Sequence, residues 1–264
     1  MDLQLKNKKA LVTGSTAGIG FAIAQALAAE GAIVTVNGRT QARVDEAAKK
    51  LKAAVKNAQV NGIAADLSTA AGCDALIKQL PTVEILINNL GIFEIKPALE
   101  IPDADWMRFF ETNVMSGVRM TRHYLPGMLK ANWGRIIFVS SESAVQIPKE
   151  MIHYGMTKTA QIAVARGFAE ETKSTGVTIN TILPGPTKSE GLGSFMEQMA
   201  KQSGKDFATL EKDFFQSARP SSLLQRFATV EEVAAMAAYL SSPLASATNG
   251  SAVRVDAGTI TAAI

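Results

Sequence analysis

The sequence predicts an α/β fold: a single doubly wound parallel sheet of about seven strands, with helices on both faces. Three observations carry this. Short apolar runs alternate with longer helical patterns along the chain, and a glycine-rich turn follows the first run. In addition, 47% hydrophobic residues with only 6% aromatics suit a buried sheet covered by closely packed helices.

The elements follow in order from these patterns. A strand over 10–13 (Ala-Leu-Val-Thr) leads to a helix over 21–30, a strand over 33–37 to a helix over 43–56, and a strand over 62–66 to a short helix ending near Leu80. The alternation continues with a strand over 84–88, a helix from about Asp103 to Met120 or beyond, and a strand over 135–141. A helix over 154–173, a strand over 177–183, a helix over 230–241 and a strand over 251–255 complete it. Parallel strands joined through helices need right-handed crossovers, which wind the sheet on both faces. Ligands then collect beyond the carboxyl ends of the strands, and the polar and glycine-rich residues here fall at those ends. No Pro/Gly/Ser linker divides the 264 residues, so 1–264 is expected to be one domain.

Composition excludes several classes. A net charge of +3 is mild, and the densest basic run, Lys49, Lys50, Lys52 and Lys56, shares its helix with Asp45 and Glu46. It reads as a solvated face, and no nucleic-acid partner is expected. Cys73 is the only cysteine, so no intrachain disulfide can form. No signal-peptide core opens the chain and no apolar run is long enough for a bilayer, which makes a cytoplasmic location and no membrane partner the expectation. His123 and His153 are distant from each other and read as packing or surface residues, so no metal site is expected.

The chemistry-bearing residues cluster at strand ends. In Gly14-Ser15-Thr16-Ala17-Gly18-Ile19-Gly20 the glycines permit a tight turn and a close backbone approach to a pyrophosphate, and the following helix N-terminus favours an anion. The spacing Gly-x-x-x-Gly-x-Gly differs from the common dinucleotide fingerprint. After the second strand stand Gly38 and Arg39, where an acidic residue would select a free ribose. Arg39 instead offers a planar fork to a 2′-phosphate, so NADP(H) is preferred and NAD(H) remains possible. Tyr154 and Lys158 are i, i+4 on a helix, so the ammonium can sit beside the phenol and lower its pKa towards the working range. Ser141 lies upstream at the end of an apolar run, and strand alternation is expected to send Ser140 to the opposite face. Asn113 is a mediocre helix-interior residue, with a cap or kink as its structural alternative.

These motifs, in this order, resemble the short-chain dehydrogenase/reductase family over essentially the whole chain. The glycine loop matches that family's cofactor loop, and Asp66-Leu67 matches the pair beside the adenine. Asn88-Asn89-Leu90-Gly91 resembles its NNAG motif, and Pro184-Gly185 with Thr187 matches the loop beside the nicotinamide. The resemblance implies a Rossmann-type fold that binds cofactor through Gly14, Ser15, Thr16, Gly18, Ile19, Gly20, Arg39, Asp66, Leu67, Asn89, Gly91, Tyr154, Lys158, Pro184, Gly185 and Thr187. It implies catalysis by Asn113, Ser141, Tyr154 and Lys158. Tyr154 would exchange a proton with the carbonyl or alcohol oxygen, and Ser141 would orient that oxygen. Lys158 would hold the nicotinamide ribose, and Asn113 would position a water. Two departures stand out: Leu90 replaces the motif's alanine, and the third helix is short.

The expected activity is hydride transfer between NADP(H) and a ketone or secondary alcohol, a small-molecule substrate. A 3-oxoacyl carrier-protein reductase is the alternative within the class, and a non-catalytic NADP(H)-binding sensor or scaffold the alternative outside it. The segment 187–223 is expected to form a substrate lid of two short amphipathic helices, with apolar stripes at Leu192, Phe195, Met196 and Met199 and at Phe207, Leu210, Phe214 and Phe215. Gly191, Gly193 and Gly204 are its expected flexible points. Ser143, Val145, Gln146, Ile147 and Met151 are expected to wall the pocket. The family resemblance implies a homotetramer or homodimer, with the helix over 154–173 and the C-terminal 259–264 at interfaces.

Overall fold

The computed structural model describes residues 2–190 and 205–263. Strand β1 (Lys9–Val12) is buried after its first residue, because it carries β2 (Ile33–Gly38) on one side and β4 (Ile85–Asn88) on the other. Beyond β2 lies β3 (Gln59–Ala64). Beyond β4 lie β5 (Gly134–Val139), β6 (Val177–Pro184) and β9 (Ala252–Val255), all parallel. The seven-stranded order β3-β2-β1-β4-β5-β6-β9 reverses direction between β1 and β4. That reversal opens a crevice at the carboxyl ends of those strands.

Helices α1 (Gly18–Ala29), α2 (Gln41–Ala54) and α3 (Ala70–Gln79) follow the first three strands. A helical run of α4 (Asp103–Phe110), a π turn (Glu111–Met115) and α5 (Ser116–Lys130) precedes β5, and α6 (Ile152–Glu170) precedes β6. Helix α8 (Val230–Ser241) leads towards β9 and opens on a complete capping box, in which Thr229 accepts from the Glu232 amide and Glu232 accepts from the Thr229 amide.

Two apolar layers result. Val12, Ile23, Val34, Ile87, Val139 and Val233 pack on one face of the sheet. Leu11, Leu76, Leu86, Met120, Phe138 and Ile179 pack on the other. The alternation of Leu11 and Val12, or Leu86 and Ile87, between layers is the period-two geometry of a strand buried on both sides.

Differences from the sequence reading are local. Strand β3 starts earlier than 62 and ends at Ala64, because Asp66 belongs to a turn: its Oδ1 accepts from the Ser68 amide at 3.1 Å, and Thr69 caps α3. The helix over 103–120 is interrupted by the π turn that contains Asn113. Helix α1 begins at Gly18 within the glycine turn. Two short strands, β7 (Thr187–Lys188) and β8 (Ala228–Thr229), form a separate parallel pair that the sequence pattern did not reveal.

Of the expected lid, the stripe Leu192, Phe195, Met196 and Met199 and the glycines Gly191, Gly193 and Gly204 lie outside the described residues. The second stripe forms α7 (Phe207–Ser217), whose Leu210 and Phe215 bury against Phe227 in a small cluster of their own. No helix among the described residues is long and apolar enough to cross a membrane.

Candidate active site

Three adjoining cavities run along the crevice. The first, about 380 Å³, is lined by Gly14, Thr16, Asn37, Gly38, Arg39, Thr40, Arg43, Ala65, Leu67 and Leu90. The second, about 490 Å³, shares Gly14, Arg43 and Leu90 with it and adds Gly18, Ile19, Gly20, Asn89, Gly91 and Phe93. The third, about 310 Å³, shares Ile19, Phe93 and Ser189 with the second and adds Ser141, Tyr154, Pro184, Gly185 and Thr187. Shared walls make one elongated cleft of the kind an extended dinucleotide needs.

The glycine turn is shaped by backbone that other residues adopt poorly. Gly14 and Gly18 have φ of +59° and +58°. A Cβ on Gly20 would stand 2.3 Å from Asn89 Nδ2. That amide donates to the carbonyls of Thr13 and Gly14, both at 2.9 Å, and so fastens the loop after β4 to the loop after β1. Leu90 fits beside Gly14: a Cβ there would come within 3.3 Å of Leu90 Cδ1, so the bulk absent at position 14 is present at 90.

Other expected cofactor residues divide by role. Ser15 is fully buried, donates to the Val12 carbonyl at 2.6 Å and accepts from the Asn37 amide, so its side chain builds the loop from beneath. Leu67 lines the first cavity, whereas exposed Asp66 is outside that lining with its Oδ1 turned to Ser68. Arg39 lines the first cavity as expected, but Arg43 joins it and reaches the second cavity as well. Arg43 belongs to no motif in the sequence, although its place four residues after Arg39 is a usable signal. No carboxylate lines the first cavity among the described residues, so its wall fits a phosphorylated ribose.

Ser141 caps a short 3-10 turn (Glu142–Ala144) beyond the end of β5, its Oγ accepting from the Ser143 amide at 3.1 Å. Ser140 also follows the strand, so alternation does not govern it. It lines the same cavity, and its hydroxyl donates to the Lys158 carbonyl at 2.8 Å. Tyr154 and Lys158 share a face of α6, with Lys158 Nζ 5.5 Å from the centre of the Tyr154 ring.

The expected lowering of the phenol's pKa is not what this arrangement produces. Desolvation pushes Tyr154 up to about 12, partly offset by the Ser141 hydroxyl. Lys158 Nζ donates to the Val139 carbonyl at 2.9 Å and to Gln161 Oε1 at 3.1 Å, and burial lowers its own pKa to about 7. The ammonium is thus held beneath the phenol by other acceptors.

Asn113 accepts from the Ile92 amide at 2.8 Å and donates to the Ile92 carbonyl and to Thr157 Oγ1, both at 3.0 Å. Its main-chain carbonyl accepts from Gln161 Nε2 at 2.6 Å, which links the π turn through Gln161 to Lys158. Gln161 was missed, although it lies one helical turn beyond Lys158. His153 is fully buried between Trp106 and Phe109, ring centroids 6.1 and 4.1 Å away, in keeping with a packing role.

The third cavity has a mixed wall. Ser143 and Met151 line it as expected, but Gln146 is outside the lining and Val145 and Ile147 point to solvent. Phe93, Phe214 and Phe227 supply apolar surface, whereas Glu142 and Arg219 supply a buried ion pair, Nε to Oε1 at 3.0 Å. Burial raises the Glu142 pKa, and Arg219 opposes that rise.

Comparison with known proteins gives a consistent picture. Residues 8–200 match the short chain dehydrogenase family. The uncharacterized oxidoreductase YvrD of Bacillus subtilis is 49% identical over 98% of this chain and 99% of its own. The 3-oxoacyl-[acyl-carrier-protein] reductase FabG of Aquifex aeolicus is 30% identical over 98% of this chain and 99% of its own. Among solved structures, L-sorbose reductase from Gluconobacter frateurii, complexed with NADPH and L-sorbose, superposes with a TM-score of 0.92 at 32% identity, covering 99% of this chain and 100% of its own.

Proposed function

The chain belongs to the short-chain dehydrogenase/reductase family of NAD(P)-dependent oxidoreductases, and on that premise we propose that it interconverts a ketone and its secondary alcohol with NADP(H), using Tyr154 as the proton donor. The observation that carries this reading is that Ser141 and Tyr154 line one cavity, which opens directly onto the glycine-walled one.

A bound reduced nicotinamide supplies the hydride to the carbonyl carbon. The protein's own residues handle the oxygen. Negative charge develops there as the carbon is reduced, and hydroxyl donors aimed at it stabilise that charge. Ser141 donates a hydrogen bond to this oxygen, and Tyr154 transfers its proton to it, completing the alcohol. Tyr154 bears the proton that reduction requires, and burial makes its phenol a weaker acid than a free one, so the Ser141 hydroxyl, which opposes that rise, works in favour of the transfer. Lys158, Gln161 and Asn113 act beneath Tyr154, fixing the floor on which it stands. Arg39 and Arg43, lining a cavity without carboxylates, support preference for the phosphorylated cofactor, as does the NADPH complex of the sorbose reductase. In the lid segment, Phe214 closes one side of the substrate cavity.

The test is NADPH oxidation by purified protein across a carbonyl panel. Turnover is expected with wild type and a loss of at least about a thousandfold with Tyr154→Phe, the upper range for general acid catalysis. Undiminished turnover in that variant would remove Tyr154 from its role. The similarity to FabG keeps acyl thioesters on the panel, where a preference for them over free ketones would favour the carrier-protein reading.

A further inference from the structure

The segment after β4 holds two large apolar side chains out over the cleft. Phe93 and Ile95 are 63% and 60% exposed, and both line the cavity that contains Ser141 and Tyr154. Neither is loosely placed. The residues that alternate with them tie the segment to the body of the protein: the Ile92 amide donates to Asn113 Oδ1 at 2.8 Å, Arg108 Nη2 donates to Glu94 Oε2 at 2.6 Å, and the Lys96 amide donates to the Glu150 carbonyl at 2.9 Å. One residue to the body and the next to the cleft is the period of an extended chain.

Phe93 also lines the glycine-walled cavity, so its ring stands where the cofactor and substrate cavities meet. Its one ring contact among the described residues is an edge-to-face approach to Tyr154, centroids 6.4 Å apart. Phe214 and Phe227, by contrast, already pack on each other at 5.1 Å. Much of the polar wall is engaged as well: the Ser140 hydroxyl donates to the Lys158 carbonyl, Thr187 to the Gly185 carbonyl, and Arg219 to Glu142. The surface left open beside Ser141 and Tyr154 is thus predominantly apolar, and a ligand that covers it removes that surface from water.

We propose that Phe93, with Ile95 beside it, is a specificity wall that receives an apolar, phenyl-sized substituent of the ketone, so that the preferred substrates are uncharged ketones with such a group on one side of the carbonyl. This rests on the oxidoreductase reading and narrows it. The carbonyl meets Ser141 and Tyr154, and the substituent extends across the exposed face of Phe93, which favours a ring through its area and its aromatic character. A small alkyl ketone leaves that face wet, and a carboxylate in its place would lose hydration with no donor from Phe93 or Ile95 to compensate it.

The experiment compares kcat/KM with NADPH for butan-2-one, 4-phenylbutan-2-one and 4-oxopentanoate, which differ only at the end remote from the carbonyl. Wild type, Phe93→Ala, Ile95→Ala and Leu99→Ala are measured, the last as a control because Leu99 is an exposed apolar residue outside the cavity lining. In wild type, 4-phenylbutan-2-one is expected to exceed butan-2-one by at least about tenfold, the effect of burying one aromatic ring. In Phe93→Ala that ratio is expected to fall by at least about fivefold, whatever happens to each rate alone, because effects on the carbonyl chemistry cancel in it. Ile95→Ala is expected to lower the ratio by less, and Leu99→Ala to leave it unchanged. A wild-type ratio near one, or a preference for 4-oxopentanoate over 4-phenylbutan-2-one, would overturn the proposal without any variant. An unchanged ratio in Phe93→Ala would also overturn it: with both rates reduced, Phe93 merely supports the Tyr154 ring, and with an altered sedimentation coefficient, it belongs to a contact with a second copy of the chain. If wild type oxidises NADPH with none of these compounds or the wider panel, the oxidoreductase reading fails and the inference with it, a result distinct from flat ratios.

Discussion

Tyr154 and Lys158 are held in states set by burial as much as by each other. The phenol, at about 12, keeps its proton across the working range, whereas the Lys158 ammonium, lowered to about 7, is the group that changes charge near neutrality. The sign follows from the direction of the shift: below about 7 Lys158 is cationic, and above it the charge beneath the phenol is lost. In the direction of ketone reduction, kcat/KM is therefore expected to fall as pH rises through about 7, and Lys158→Arg, which stays charged, is expected to move the fall to higher pH. A steady-state pH profile checks this, and a flat wild-type profile from about pH 6 to about 9 would contradict it. That Ser141 and Tyr154 come to one cavity was legible in the sequence through the family motif they match. The electrostatics were not, because they depend on Val139 and Gln161 taking the ammonium's bonds. Nor was the Glu142–Arg219 pair, whose members lie 77 positions apart.

At the level of elements, strand and helix order could be read directly from alternating apolar runs, and the helix over 230–241 matched to the residue. Elements failed where local pattern is silent. In the π turn at Glu111–Met115, Asn113 donates to the distant Thr157 and the Thr112 carbonyl accepts from Ser116, contacts that no local pattern announces, and a two-residue strand such as Thr187–Lys188 has no periodicity to detect. The junction of β2 and α2 carries the clearest functional consequence. Arg39 stands just after β2 and Arg43 in the first turn of α2, and both line the first cavity. Arg39→Ala is expected to weaken NADPH binding by roughly tenfold to a hundredfold, the loss of one charged hydrogen-bonding group, while leaving NADH within a few fold. Fluorescence titration with both cofactors measures this. Equal losses would place the 2′-phosphate elsewhere, and a small loss for NADPH would assign the larger share to Arg43.

For the molecule as a whole, strand order determines function. The reversal between β1 and β4 brings the glycine loop, the Asn89 clamp and the end of β5 to one crevice, and α6 lays Tyr154 along its far wall. The alternation of elements implied a parallel sheet, but the order of strands within it is a property of tertiary pairing that no single segment encodes. The cleft's continuity from Arg39 to Tyr154 gives the central claim its most direct test, the destination of the nicotinamide hydride. Incubation of wild type with NADPH deuterated at the transferable C4 position and the ketone turned over fastest, followed by mass spectrometry and NMR of the alcohol, reads it. One deuteron is expected on the carbinol carbon, in a single configuration, and none when unlabelled NADPH is used in deuterated water. An alcohol carrying solvent deuterium at that carbon, or NADPH consumed without any label reaching the product, would contradict it.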